Sequence, residues 1–207
     1  MKVDYIIVGL GLAGLAFAEE LISAGKTFLV FEDNSQTSSL VAGGVYNPVI
    51  LKRFTPVWKA KEQLQVALPF YESLEKKLQV QLDYKFSTRK VFKSIEDQNN
   101  WVIASDNRMT SEYMNPTIIS EKIESIKGDF GYGEVYQTGR IDTLALINNY
   151  RDYLKTFDRI RFEKFEYSAM KFIDNTVSYH DIITSRIVFC EGFGIKQNPY
   201  FNYLPLN

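Results

Sequence analysis

The chain has 207 residues, 45% hydrophobic and 24% charged, and its 24 Lys and Arg against 25 Asp and Glu leave a net charge of -1. That length buries the core of one domain, or of a domain with a smaller companion, and the even spread of charge lacks the clustered basic surface of a nucleic-acid binder. One cysteine, Cys190, and one histidine, His180, leave neither an internal disulfide nor a His/Cys metal cage, and no stretch is long and apolar enough to span a bilayer.

The opening "VDYIIVGLGLAGLAFAEEL" starts with a continuous apolar run, Tyr5 to Val8, the pattern of a strand buried on both faces of a parallel sheet. Gly9, Gly11 and Gly14 follow with the spacing G-x-G-x-x-G. From Leu12 and Ala13 the period turns helical, with Leu15, Ala18, Leu21 and Ile22 on one face, Glu19 and Glu20 off it, and Gly25 as the C-cap. Phe28 to Phe31 is the second strand, and it delivers Glu32, followed by Asp33.

Each part has a physical job in holding a dinucleotide. Gly9 permits the tight turn, Gly11 the approach of backbone to a pyrophosphate, and Gly14 close packing of helix on strand. The helix N-terminus offers free N–H groups and partial positive charge, and Glu32 stands where it accepts hydrogen bonds from ribose hydroxyls. An acid there disfavours a 2′-phosphate, which leaves NAD and FAD. Residues 33 to 57 show no helical or strand period, and a long ordered loop in a compact domain is usually functional. It carries hydroxyls at Thr37, Ser38 and Ser39, suited to a pyrophosphate, and small residues at Ala42, Gly43 and Gly44, suited to a flat ring.

Strand, glycine turn, helix, Glu32 and then S-x-x-x-x-G-x-x-x-P over Ser39, Gly44 and Pro48 resemble the N-terminal part of the FAD-dependent D-amino-acid oxidase/glycine oxidase superfamily. The resemblance implies that Ser39 approaches the cofactor phosphates and that Ala42, Gly43, Gly44 and Val45 border the isoalloxazine. Val45 and Tyr46 replace the family's usual Met-Leu. Near the other end, "IVFCEG" resembles the family's returning strand and implies that Cys190, Glu191 and Gly192 lie by the cofactor, with Cys190 and Glu191 standing where small residues are usual. Cys190 is read as an inert buried thiol rather than a covalent flavin attachment. The neighbourhood of the strand around Ile160 to Glu163 is implied to grip the adenine side.

Between these motifs, 57 to 79 reads as a helix containing Pro69, 84 to 95 as a half-buried strand, "EDQNNWVIASDN" as a short helix, and Glu134 to Thr138 as a strand. Asp142 is a good N-cap for a helix over "TLALINNYRDYLK". A hairpin turning at Asp174-Asn175 and a last strand from Ile187 to Cys190 follow, with His180 exposed and without chemistry. Arg53 is read as a solvated surface residue.

The resulting expectation is an α/β, Rossmann-like FAD-binding domain, a parallel sheet with helices and a β-meander, interrupted by an inserted, incomplete α+β substrate domain. Its divisions are 1–80, 81–140 and 141–207, with "NPYFNYLPLN" read as the middle of a strand in a chain that continues further in the family. The resemblance implies an FAD-dependent oxidoreductase that takes a hydride from the carbon next to nitrogen of a small amine or amino acid to flavin N5. A flavin-dependent hydroxylase or reductase, and a dinucleotide-binding module without its own catalysis, are the alternatives. No metal, nucleic acid or membrane is expected, the location is expected to be cytoplasmic, and no catalytic residue is assigned.

Overall fold

A computed structural model describes residues 1–205 except 122, 123 and 125. The chain divides into two compact units, one of Met1–Ala42 with Thr143–Asn207, the other of Gly43–Asp142.

The first unit begins with β1 (Lys2–Val8), α1 (Leu12–Ser23), β2 (Phe28–Phe31) and a one-turn α2 (Ser38–Val41). The chain then enters the second unit: β3 (Val45–Tyr46), β4 (Val49–Ile50), β5 (Thr55–Pro56), α3 (Ala60–Leu78), β6 (Asp83–Val91), α4 (Ile95–Ser105) and β7 (Tyr132–Ile141). It returns through α5 (Thr143–Thr156), β8 (Ile160–Arg161), β9 (Met170–Ile173), β10 (Thr176–Tyr179) and β11 (Ile182–Phe189).

In the first unit the strand order is β8-β2-β1-β11-β10-β9. The first four are mutually parallel, and β9, β10 and β11 form an antiparallel meander on one side. Apolar side chains on both faces explain why β1 and β2 occupy the middle: Ile6, Ile7 and Val30 are wholly buried and all four residues of β2 are buried. Phe31, Phe165 and Tyr179 pack together on one face, the last two stacked at 4.2 Å between ring centroids. The hairpin turns at Asp174, whose φ is 50°, and His180, at φ 49°, is exposed in the next turn. The expected α/β class with parallel sheet, helices and meander is the one observed.

The second unit is built on the antiparallel sheet β3-β7-β6. Its core gathers Trp101 of α4 with Phe92, Tyr113, Met114, Val135 and Val49. At Gly133 any β-carbon would stand 2.4 Å from the Trp101 ring, so the missing side chain makes room for the indole. A bulge interrupts the β6–β7 register between Phe86 and Thr88, and opposite it Gln137 takes a φ of 54°.

Three expectations change. The second unit starts at Gly43 rather than after residue 80, so helix α3, with Pro69 inside it, belongs there; the return comes at 143 where the sequence suggested 141. Glu19 is not off the buried face but 7% exposed, because α5 brings the Tyr150 hydroxyl to its Oε1 at 2.8 Å. Residues 198 to 204 form turns instead of a strand.

Candidate dinucleotide site

The parallel strands β1, β2 and β11 all end at one edge of the first unit's sheet. In open α/β sheets ligands bind outside such carboxyl ends. Here a cavity of about 440 Å³ opens there, bordered by the last residues of the three strands, Val8, Phe31 and Phe189.

The glycine turn forms one wall. Gly9 has a φ of 92°, in the left-handed region, and a β-carbon on it would stand 2.5 Å from the Cys190 carbonyl oxygen. Gly14 lies behind the wall rather than on it: its β-carbon would meet the Gly9 carbonyl oxygen at 2.2 Å, which is why helix and turn approach so closely. Gly11, Leu12 and Ala13 border the cavity. Helix α1 opens from Gly11 without a side-chain cap, and the Leu12 N–H donates to Ser39 Oγ at 3.2 Å. A β-carbon on Gly11 would sit 2.9 Å from that same oxygen. Ser38 and Ser39, on α2, therefore flank the open helix end.

Glu32 closes the end of β2 with 5% exposure. Its Oε2 accepts the Leu10 N–H at 2.6 Å and its Oε1 the Asn34 N–H at 2.7 Å. The acid thus fastens the glycine turn to the strand that follows it. Asp33, beside it in the wall, resists the upward pull of burial because Ser35 donates to it and Lys164 lies near; its carboxyl is held below the usual range.

The opposite wall comes from β11 and the segment after β8. Glu191 Oε1 accepts the Tyr167 hydroxyl, and its Oε2 accepts Asn198 Nδ2 at 2.8 Å. Burial, then the hydrogen bond and charge of Glu191, push the Tyr167 phenol well above its ordinary value, so it stays a donor. Cys190 is half-buried, and burial raises its thiol, reinforced by the Glu191 charge. Gly192 completes this rim.

Eleven of the residues singled out in the sequence border one cavity: Gly9, Gly11, Leu12, Ala13, Glu32, Asp33, Ser38, Ser39, Cys190, Glu191 and Gly192. Ala42, Gly43, Gly44 and Val45 do not border it. Ala42 ends α2 and is exposed with Gly43, and Val45 is 62% exposed. Gly44, at φ 65°, lies where a β-carbon would meet the Ile141 carbonyl oxygen at 2.0 Å, a role within the second unit. Lys164, Tyr167 and Asn198 were not anticipated; the aromatic and charged run after β8 hinted at the first two, and nothing in the sequence hinted at Asn198. Arg53 is exposed. Among the described residues no group of three or more His, Cys, Asp or Glu side chains is placed to hold a metal, and no helix is long and apolar enough to cross a membrane.

The second unit has its own cavity of about 450 Å³ at the β6–β7 bulge, bordered by Tyr46, Leu68, Lys85, Ser87, Tyr136 and Gln137 among others. Tyr46 is committed there, donating to Asp83 at 2.8 Å.

No family model matches the sequence. The fold does have close counterparts among solved structures. It superposes on an L-amino acid deaminase from Proteus vulgaris with a TM-score of 0.65 at 16% identity, covering 91% of this chain and 47% of that one. A glycine oxidase from Bacillus cereus gives 0.59 at 17% identity, over 91% and 55%. The chain has the fold of these oxidases and deaminases. An L-α-glycerophosphate oxidase from Mycoplasma pneumoniae with FAD bound shares the oxidase fold at 0.53 and 16% identity, over 90% and 53%. The chain thus spans about half the length of the oxidase-fold structures it matches.

The donor set of the first unit fits a dinucleotide. An anion would be received by backbone N–H groups, since Lys164 is the one cationic side chain on the described cavity border, against Glu32, Asp33, Glu163 and Glu191. The room left by Gly11 is the space a β-carbon would fill. Glu32 retains unused lone pairs for hydroxyl donors after its two backbone contacts.

Proposed function

We propose that the first unit holds FAD and that the protein is an FAD-dependent oxidoreductase acting on a small amine or amino acid. One observation carries this reading: a helix N-terminus with no capping side chain on its own N-cap residue, Gly11, and a buried strand-end carboxylate meet in a single cavity at the carboxyl ends of β1, β2 and β11. The oxidase fold, with its FAD-bound member, supports the choice of flavin.

In this reading the α1 N-terminus and Gly11 receive the diphosphate, Ser39 holds the turn beside it, and Glu32 accepts from the adenosine ribose. Gly9 and Gly14 set the close packing that brings these groups together. The backbone of Glu163 to Phe165 and the Phe31 edge border the adenine end. Glu191, tied to Tyr167 and Asn198, keeps the loop after β11 in place along the cavity. Ala42, Gly43, Gly44 and Val45 remain assigned to the flavin ring, now as a proposal, because they lie on the chain directly after Ser39. Bound flavin supplies an acceptor, at N5, for a hydride from the carbon next to the substrate nitrogen.

The test is anaerobic spectroscopy of the FAD-loaded protein. Loss of flavin absorbance on adding an amine or amino acid supports the reading. Bleaching by NADPH without any amine would favour the hydroxylase or reductase chemistry, and no bleaching by either would leave a binding module.

A further inference from the structure

Glu32 and Arg151 form an ion pair that the site geometry does not by itself require. Arg151 stands on α5, which the chain reaches only after the second unit, and its Nη2 lies 3.5 Å from Glu32 Oε1. Both side chains are withdrawn from water, at 12% and 6% exposure. Two charges buried to that extent each lose hydration that only a partner and good hydrogen bonds offset, and removing one partner strands the other.

The two partners are used differently. Both carboxylate oxygens of Glu32 are engaged by backbone N–H groups, from Leu10 and Asn34, and Glu32 borders the cavity. Arg151 does not border it, and its Nε is buried with no hydrogen-bond partner among the described residues. Its Nη2 faces a single oxygen of Glu32, so the pair acts on that one carboxylate. The preceding residue, Tyr150, donates to the buried Glu19 of α1 at 2.8 Å, which fixes α5 against α1 and holds the guanidinium in place.

We propose that Arg151 is the positioning residue of the nucleotide site: paired with the buried Glu32 carboxylate, it holds that carboxylate aimed, and so sets the recognition of ribose hydroxyls at one remove. The inference rests on the flavin reading above. It also implies that residues on either side of the second unit must come together before the adenosine end is complete.

The experiment titrates five proteins with FAD and with FAD lacking the adenosine 2′-hydroxyl: wild type, Arg151→Lys, Arg151→Met, Glu32→Gln and the double Glu32→Gln/Arg151→Met. Wild type is expected to prefer FAD by about tenfold, the worth of a hydrogen bond to a charged group. Arg151→Met is expected to lose FAD affinity by about ten- to a hundredfold on the same grounds and to lose the discrimination, while Arg151→Lys keeps most of both. In the Glu32→Gln background the Met substitution is expected to cost little more, since no buried charge is left to serve. Should Arg151→Met fail to fold, the lysine variant and the double variant against Glu32→Gln carry the comparison. Unchanged discrimination in Arg151→Met, or an equal loss in both backgrounds, overturns the positioning role and leaves the flavin reading standing. A wild-type chain that binds neither compound sinks the flavin reading, and this inference with it.

Discussion

The Glu32 carboxylate accepts the Leu10 N–H at 2.6 Å, so the residue suited to ribose recognition is also the clip that shapes the glycine turn. Replacing it therefore acts on both. Glu32→Gln keeps one acceptor oxygen and turns the other position into a donor facing a backbone N–H. It is expected to destabilise the chain by about 1–3 kcal/mol, the cost of an unsatisfied buried donor, and to weaken nucleotide binding in parallel. Urea unfolding and ligand titration of the same variant read the two effects.

Two glycines of the turn, Gly11 and Gly14, should separate by consequence. A β-carbon on Gly11 meets only the tip of the Ser39 side chain, at 2.9 Å, whereas one on Gly14 meets the Gly9 backbone oxygen at 2.2 Å. Gly11→Ala is thus expected to keep stability within about 1 kcal/mol while displacing Ser39 and lowering nucleotide affinity at least about tenfold; Gly14→Ala is expected to lose about 2–4 kcal/mol of stability. Equal melting temperatures for the two variants would contradict this account of the turn.

Alkaline stability should report the buried phenols. Burial, then the Glu19 charge, raise Tyr150 far above the ordinary value of 10.0, and Tyr167 is raised likewise by burial and Glu191. With folded values above the unfolded one, their contribution is complete below that ordinary value and is lost as pH climbs beyond it. Unfolding free energy is expected to fall above about pH 10, and Tyr150→Phe to flatten that fall while costing about 1–2 kcal/mol at neutral pH for the lost hydrogen bond to Glu19. A Tyr150→Phe curve parallel to wild type above that pH would argue against the assignment.

Cys190 should behave as packing rather than chemistry. Its raised thiol predicts alkylation by iodoacetamide at about pH 7.5 at least about tenfold slower than in the urea-unfolded chain. Acid precipitation of a flavin-loaded sample is expected to release all the flavin, and Cys190→Ala to bind as wild type does; flavin retained in the pellet would mean a covalent link.

What the sequence made legible was local. The strand, the G-x-G-x-x-G turn, the helix and Glu32 follow one another in some thirty residues, and each step has its own spacing rule. The hairpin at Asp174 was equally plain from its turn residues. What escaped depended on chain returning from afar. Glu19 looks like a solvent residue until α5 brings Tyr150 to it, and nothing in "NNYRDYL" marks Arg151 as the partner of Glu32. The loop from Asp33 to Val57 lacked a period because its elements, α2 and β3 to β5, are two to four residues long. Its small residues looked alike in sequence, yet Gly44 answers to the Ile141 carbonyl of the second unit while Ser39 answers to α1.

The central claim is that the first unit is a flavin site. Titration of the purified chain with FAD, and separately with NAD, followed by equilibrium dialysis, tests it most directly. The account predicts saturable binding of FAD at one site per chain, weakened at least about tenfold in Gly11→Ala, with no saturable uptake of NAD. Saturable binding of NAD and none of FAD would contradict it.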